Sequence, residues 1–154
     1  MRARIFWLIS RTAIFLYRRF PIFGPIPGSI AIVRRPDGFL VIQRNDGYGF
    51  GFPGGIALPW ETPEQALRRE VREEIGQEVL TAELKFEYRN SFLYPTRTTV
   101  FEATLADGPY RSSWEGTLAV VSLDQLNRNI IPSQRPVIDY LQHTFNSNPG
   151  PAVI

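Results

Sequence analysis

The chain has 154 residues, of which 44% are hydrophobic, 13% aromatic and 21% charged, and its formal net charge is +2. This length and composition predict a single folded domain rather than a disordered chain. The chain has no cysteine and one histidine, His143, which excludes disulfides, zinc–thiolate and iron–sulfur sites, multi-histidine metal sites and a thiol nucleophile. Any catalysis must therefore rest on carboxylates, arginines and hydroxyls.

Positive charge is concentrated at the N-terminus. Residues 1–35 carry seven arginines and no acidic residue, whereas the remainder carries ten basic and fifteen acidic residues. The body of the protein is therefore acidic and lacks the basic surface that is typical of nucleic-acid binding. We expect no nucleic-acid partner.

The N-terminal segment 3–20 contains no proline or glycine and ends before Pro21, which predicts a helix. Arg4, Arg11 and Arg18 recur every seven residues along one stripe, and apolar residues cover much of the remaining surface. The charged residues make the segment unsuitable as a signal peptide or a transmembrane span. Two interpretations remain open: the helix packs on the domain or on a second copy of the chain, or it lies on an anionic membrane surface.

These features divide the chain into three parts. We expect a basic amphipathic helix with a proline- and glycine-rich linker at 1–27, a domain at 28–145 and a C-terminal tail at 146–154. The expected location is the cytoplasm, with peripheral contact at the inner face of the membrane if the second interpretation of the helix holds. A homodimer is compatible with the first interpretation.

The predicted domain begins with strands. Two β-rich runs, 29–35 and 39–45, flank the turn sequence Pro36-Asp37-Gly38 and predict a hairpin. A glycine-rich loop follows at 48–55. The pattern further predicts strands at 82–90, 98–105 and 117–122 and a last helix at 133–145.

A central helix has clear signals at both ends. Thr62 is the predicted N-cap, Pro63 the first helical residue, and Gln65 completes a capping box with Thr62. The helix should end at Ile75, because Gly76 can adopt the left-handed conformation that closes a helix. Strands combined with two core helices predict an α/β/α sandwich with a mixed sheet.

Three glutamates of this helix are close together on its surface. Glu70, Glu73 and Glu74 share an arc of about 100° that borders the apolar stripe. Like charges at these spacings repel one another, and a hard divalent cation such as Mg²⁺ or Mn²⁺ would reverse that effect. The alternative is an acidic surface patch that Arg69 and Arg72 balance.

The segment GIALPWETPEQALRREVREEIGQ, residues 55–77, resembles the Nudix hydrolase signature, G-x5-E-x7-R-E-U-x-E-E-x-G-U, in which U is a bulky apolar residue. The matching residues are Gly55, Glu61, Arg69, Glu70, Val71, Glu73, Glu74 and Gly76. Two positions depart from the family pattern: Gln77 takes the final apolar position, and Trp60 stands where members commonly have glycine. Neither departure removes a carboxylate.

The resemblance implies a Nudix-type fold and Mg²⁺- or Mn²⁺-dependent hydrolysis of a nucleoside diphosphate linked to another moiety. Glu70, Glu73, Glu74 and the carbonyl of Gly54 would hold the metal, which would bridge the phosphate oxygens of the substrate. Glu73 would also act as the general base. The substrate would be a small nucleotide.

The resemblance implies supporting residues as well. Arg69 would orient a carboxylate through a two-bond contact, with Glu61 as its partner, and Gly55 would support the site. Glu115 is a rival general base. Tyr94 and Phe92 are weaker candidates for substrate binding. The functional alternative is a non-catalytic Nudix-like module that senses a nucleotide without hydrolysing it.

Overall fold

The structure is a computed structural model that describes residues 24–92, 94–111 and 116–147. The predicted helix at 3–20, Glu115 and residues 148–154 lie outside the described residues. The described strands are β1 (Ile26–Ile32), β2 (Arg34–Arg35), β3 (Gly38–Arg44), β4 (Phe50–Gly51), β5 (Gly54–Ile56), β6 (Val79–Asn90), β7 (Thr96–Leu105) and β8 (Gly116–Val121). The described helices are α1 (Pro63–Ile75), α2 (Leu123–Asn129) and α3 (Arg135–Ser147), with a 3₁₀ turn at Pro132–Gln134.

These strands form two sheets. The first has the order β5-β1-β7-β6, and in the second β3 pairs with β2, β4 and β8. β1 and β7 are parallel, whereas β1 pairs antiparallel with β5, and β6 pairs antiparallel with β7. The prediction of a mixed sheet is therefore confirmed.

Helices cover both faces of the strands. Along β1, Ile30 and Ile32 belong to a core cluster that includes buried residues of α2 and α3. Ala31, between them, belongs to the cluster that contains the apolar stripe of α1. Because alternate side chains of a strand point to opposite faces, β1 is covered on both sides. This explains the run of buried apolar residues at 30–32 and confirms the α/β/α sandwich.

Helix α1 has the predicted ends. The Thr62 hydroxyl accepts from the Gln65 amide N–H, and the Gln65 side chain accepts from the Thr62 amide N–H. Gly76 closes the helix with φ of 75°. The buried face carries Leu67, Val71 and Ile75 together with Ala66 and Glu74.

The predicted hairpin is only partly correct. The turn at 36–37 joins β2 to β3, but the pairing covers just Arg34↔Phe39 and Arg35↔Gly38. Residues 29–32 leave the hairpin and pair with β5 and β7 instead. The chain changes from one sheet to the other at Val33, which a continuous apolar run does not indicate.

Some elements were not predicted. Helix α2 begins at a second capping box, in which Ser122 and Gln125 exchange hydrogen bonds. That motif was available in the sequence, but only Leu126 of the helix is buried, so no apolar periodicity accompanies it. The short strand β4 lies within the predicted glycine-rich loop, and β5 begins in it and extends to Ile56.

Candidate active site

The turn between β4 and β5 brings the glycine-rich segment against β1. Gly54 has φ of 140°, and a Cβ at this position would lie 2.1 Å from the Ser29 carbonyl oxygen. Only glycine fits both the conformation and the contact. The Pro53 carbonyl accepts from the Ala31 amide N–H at 2.8 Å, which holds the turn on the sheet.

Two carboxylates of α1 approach this backbone from the helix side. The Gly54 amide N–H donates to Glu74 Oε2 at 2.9 Å, and Glu74 is only 6% exposed. The Glu70 carboxylate fills the space that a side chain at Gly55 would occupy, with Oε1 2.5 Å from the position of a Cβ. The structure therefore brings Glu70, Glu74 and the Gly54–Gly55 backbone together.

Arg69 connects the acids to the preceding loop. It donates from Nε and Nη2 to the two carboxylate oxygens of Glu61, at 2.7 and 3.0 Å, and from Nη1 to Glu70 Oε1 at 2.8 Å. The predicted two-bond contact is present. Hydrogen bonds from Arg69 and from the Leu58 amide hold the pKa of Glu61 below its usual value, and the carboxylates raise the pKa of Arg69.

Glu73 is far more exposed than the other two glutamates, although it shares Arg69 Nη1 with Glu70. Its side chain is 61% exposed, and Arg69 Nη1 lies 3.3 Å from its Oε2. Arg72 pairs with Glu78 at 3.5 Å rather than with the three glutamates. In the described part of the chain, no three His, Cys, Asp or Glu side chains are grouped so that they could hold a metal ion.

The donors that do come together fit a hard divalent cation. Glu70 and Glu74 offer carboxylate oxygens beside the Gly54–Gly55 backbone, and no nitrogen or sulfur ligand is required. The missing Cβ of Gly55 leaves a cradle that the Glu70 carboxylate occupies. The exposed side chain of Glu73 is free of the core and can turn about its Cα–Cβ bond.

A cavity of about 150 Å³ lies beside the same glycines. Gly54, Gly55 and Ile56 form one wall, and Tyr94, one of the two predicted substrate-binding residues, forms part of another. Phe92 is not in the lining and packs edge-to-face with Tyr48, with ring centroids 6.4 Å apart. The other lining residues are Pro27, Gly28, Ser29, Ile30, Tyr88, Asn90, Thr96, Thr98, Ser133 and Gln134.

The cavity lining is mainly apolar, with several polar side chains and no charged one. The Tyr88 hydroxyl donates to the Ser133 carbonyl at 3.0 Å, and burial raises the pKa of Tyr88 to about 12. Burial also raises the pKa of Tyr94. Both phenols therefore remain protonated near neutral pH. The sequence analysis did not identify most of these lining residues. A signal was present, since Tyr88 and Asn90 are two residues apart, as are Thr96 and Thr98, which is the spacing of side chains on one face of a strand.

A NUDIX domain model matches residues 24–141. The chain belongs to the Nudix family. Nudix hydrolases generally require a divalent metal ion such as Mg²⁺ and act on nucleotide substrates. The match covers every described strand and most of α3.

Two relatives in sequence are consistent with this family. An 8-oxo-dGTP diphosphatase from Haemophilus influenzae is 44% identical over 75 residues, which cover 46% of this chain and 54% of the relative. A MutT-like protein from Streptomyces ambofaciens is 39% identical over 90 residues, 56% of either chain. This Nudix chain thus matches about half the length of these two relatives.

Solved structures share the fold. The MutT protein from Methanosarcina mazei Go1 superposes with a TM-score of 0.68 at 20% identity, covering 80% of this chain and 97% of that chain. None of the helices within residues 24–92, 94–111 and 116–147 has the length and apolar character needed to span a bilayer.

Proposed function

We propose that this Nudix chain hydrolyses the phosphoanhydride bond of a nucleoside diphosphate linked to another moiety, with Mg²⁺ or Mn²⁺ as cofactor. The observation that carries the proposal is the position of Glu70 and Glu74 against the Gly54–Gly55 backbone, beside a cavity. In an acidic surface patch, by contrast, Glu74 would be exposed and position 55 would not have to be glycine.

Glu70, Glu73, Glu74 and the Gly54 carbonyl would hold the metal. A bound divalent ion offsets negative charge on the phosphates and lowers the pKa of a water molecule. Glu74 is already oriented by the Gly54 amide, and Glu70 is oriented by Arg69. The exposed Glu73 side chain would join them by turning toward the site from the surface of α1.

Glu73 is our proposed general base. Its carboxylate is the most exposed of the three, so it can accept a proton from water and release it to solvent. Arg69 and Glu61 would act as positioning residues, because together they fix the carboxylate of Glu70 relative to the loop. Glu115, outside the described residues, remains the rival base.

The cavity would receive the uncharged part of the substrate. Its wall has hydroxyl and amide groups and no charged side chain, which suits a nucleobase or sugar better than a phosphate. Tyr94 would contact this group directly. Phe92 would act from the adjacent loop, through its contact with Tyr48.

The proposal is tested by phosphate and nucleoside monophosphate release from a panel of nucleotides with Mg²⁺. The panel includes 8-oxo-dGTP, the substrate in the name of the Haemophilus influenzae relative, together with dinucleoside polyphosphates and nucleotide sugars. We expect activity that EDTA abolishes and that Glu74→Gln reduces at least about 100-fold. Activity that survives both changes contradicts the metal site. Nucleotide binding without turnover on every substrate would instead support the sensing module.

The division into 1–27, 28–145 and 146–154, the cytoplasmic location, the homodimer and the membrane contact of residues 3–20 remain proposals. The arginine stripe supports the membrane contact, because anionic lipids attract basic amphipathic helices. Co-sedimentation with anionic vesicles tests it: replacing Arg4, Arg11 and Arg18 with glutamine should abolish binding. Equal sedimentation of the variant and the unchanged chain would exclude the idea.

A further inference from the structure

Ser29 on β1 carries a buried hydroxyl without a partner. The residue is 1% exposed, and its Oγ makes no hydrogen bond. Burial of an unpartnered hydroxyl is unfavourable, because the group loses its bonds to water and gains none in return. A residue of this kind beside a candidate active site indicates a bond that forms in another state of the site.

The surroundings of Ser29 suggest which bond this is. Ser29 lies two residues before Ala31, so its side chain shares the sheet face that α1 covers. It pairs directly with Gly55 of β5, and paired residues hold their Cβ positions about 5 Å apart. The Cβ position of Gly55 is occupied by the Glu70 carboxylate. The Ser29 hydroxyl is therefore close to Glu70.

We propose that Ser29 is a positioning residue whose hydroxyl donates a hydrogen bond to the Glu70 carboxylate when that carboxylate holds the divalent ion. The inference rests on the proposed function. Glu70 Oε1 now accepts from Arg69 Nη1 at 2.8 Å. A second donor to this carboxylate, besides Arg69, would restrict its rotation away from the ion, and groups that orient metal ligands commonly change metal affinity about 10–100-fold.

The chain contains a matched control in Thr99. Thr99 pairs with Ser29 across β1 and β7 and is equally buried, at 1% exposure. Its hydroxyl, however, has a partner, because Oγ1 donates to Glu87 Oε1 at 2.8 Å. The two residues therefore differ in what the hydroxyl does rather than in where it is buried.

The experiment compares the full chain with Ser29→Ala and Thr99→Val. Melting temperatures are measured in EDTA, and Mn²⁺ affinity is measured by titration calorimetry without substrate. For Ser29→Ala we expect a melting temperature equal to or above that of the unchanged chain and at least about tenfold weaker Mn²⁺ binding. Thr99→Val should melt at a lower temperature and bind Mn²⁺ as the unchanged chain does.

A lower melting temperature of Ser29→Ala, whatever its Mn²⁺ affinity, would give the hydroxyl a structural role and overturn the inference. Unchanged Mn²⁺ binding would overturn it too. Failure of the proposed function is distinguishable, since the unchanged chain would then bind no Mn²⁺ and hydrolyse no nucleotide. If the unchanged chain does both and Ser29→Ala matches it, only the role of Ser29 is lost.

Discussion

Arg69 donates two hydrogen bonds to the two carboxylate oxygens of Glu61, from Nε at 2.7 Å and from Nη2 at 3.0 Å. Glu61 also accepts from the Leu58 amide N–H at 2.8 Å, so the pair ties the loop before α1 to the middle of that helix. The remaining nitrogen, Nη1, donates to Glu70. The orientation of a proposed metal ligand therefore depends on the geometry of the loop.

Replacement of Arg69 by lysine should break this connection while keeping the charge. Lysine has no planar guanidinium group, so it cannot bond both carboxylate oxygens of Glu61 and, at the same time, the carboxylate of Glu70. We expect kcat to fall about 100-fold and the free energy of unfolding to fall by about 1 kcal/mol. Arg68→Lys is the control for activity, because Arg68 pairs with the half-exposed Glu64 and the Val79 carbonyl and with none of the three glutamates. Equal activity of the two variants would contradict the positioning role of Arg69.

The pKa of Glu61 predicts how stability depends on pH. Arg69 and the Leu58 amide lower this pKa from the ordinary value of 4.5, so the folded chain binds fewer protons there than the unfolded chain. Stability from this group is therefore fully present above pH 4.5 and is lost as pH falls through the lower folded value. Melting temperatures between pH 3 and 7 should fall less steeply on acidification for Glu61→Gln.

The matched variant for this measurement is Glu78→Gln. Glu78 lies 3.5 Å from Arg72, and both side chains are mostly exposed, so the pair contributes little. The melting temperature of this variant should fall on acidification as steeply as that of the unchanged chain. A Glu61→Gln curve with that same steepness would show that the carboxylate does not link folding to protonation.

Helix α1 was predictable because its signals are local. The capping box at Thr62 and Gln65 and the glycine at position 76 lie within fifteen residues and do not depend on tertiary contacts. The signature spacing also places Glu70 and Glu74 on adjoining turns. Their contacts with Gly54 and Gly55 follow once the helix packs on β5.

Pairing between distant strands was not predictable. β1 pairs in parallel with β7, from Ile26↔Thr96 to Ile32↔Glu102, and no local pattern indicates a partner so far along the chain. The register of β6 and β7 also decides that Tyr88 and Thr98 face the cavity. The high exposure of the Glu73 side chain was not predicted. A helical wheel gives the direction in which a side chain leaves the helix, but not how far neighbouring elements cover it.

Gly54 and Gly55, the first two residues of β5, should respond differently to substitution by alanine. In Gly55→Ala the new methyl group would lie 2.5 Å from Glu70 Oε1, and the carboxylate, at the end of a flexible side chain, would move. We expect a stability loss below about 1 kcal/mol but a loss of activity of about 100-fold.

Gly54→Ala should instead damage the fold. Its methyl group would meet the Ser29 carbonyl at 2.1 Å, and the backbone has φ of 140°, so strain and clash should lower the free energy of unfolding by about 3 kcal/mol. Urea unfolding and Mn²⁺ titration separate the two effects. If Gly55→Ala retains both activity and Mn²⁺ affinity, Glu70 is not a metal ligand.

Gln77 occupies the apolar position of the family signature with a buried polar side chain. Its Nε2 donates to the Pro109 carbonyl at 2.8 Å and so ties the end of α1 to residues 106–111. Gln77→Leu would keep the volume and lose the donor, so we expect a loss of about 1 kcal/mol in unfolding free energy with kcat unchanged.

Gln77→Glu should lose more unfolding free energy at pH 7, since an ionised carboxylate would face a carbonyl. Protonation restores the donor, so urea unfolding should show that this excess loss shrinks toward about pH 5. An excess that does not depend on pH would mean that the contact with Pro109 contributes nothing.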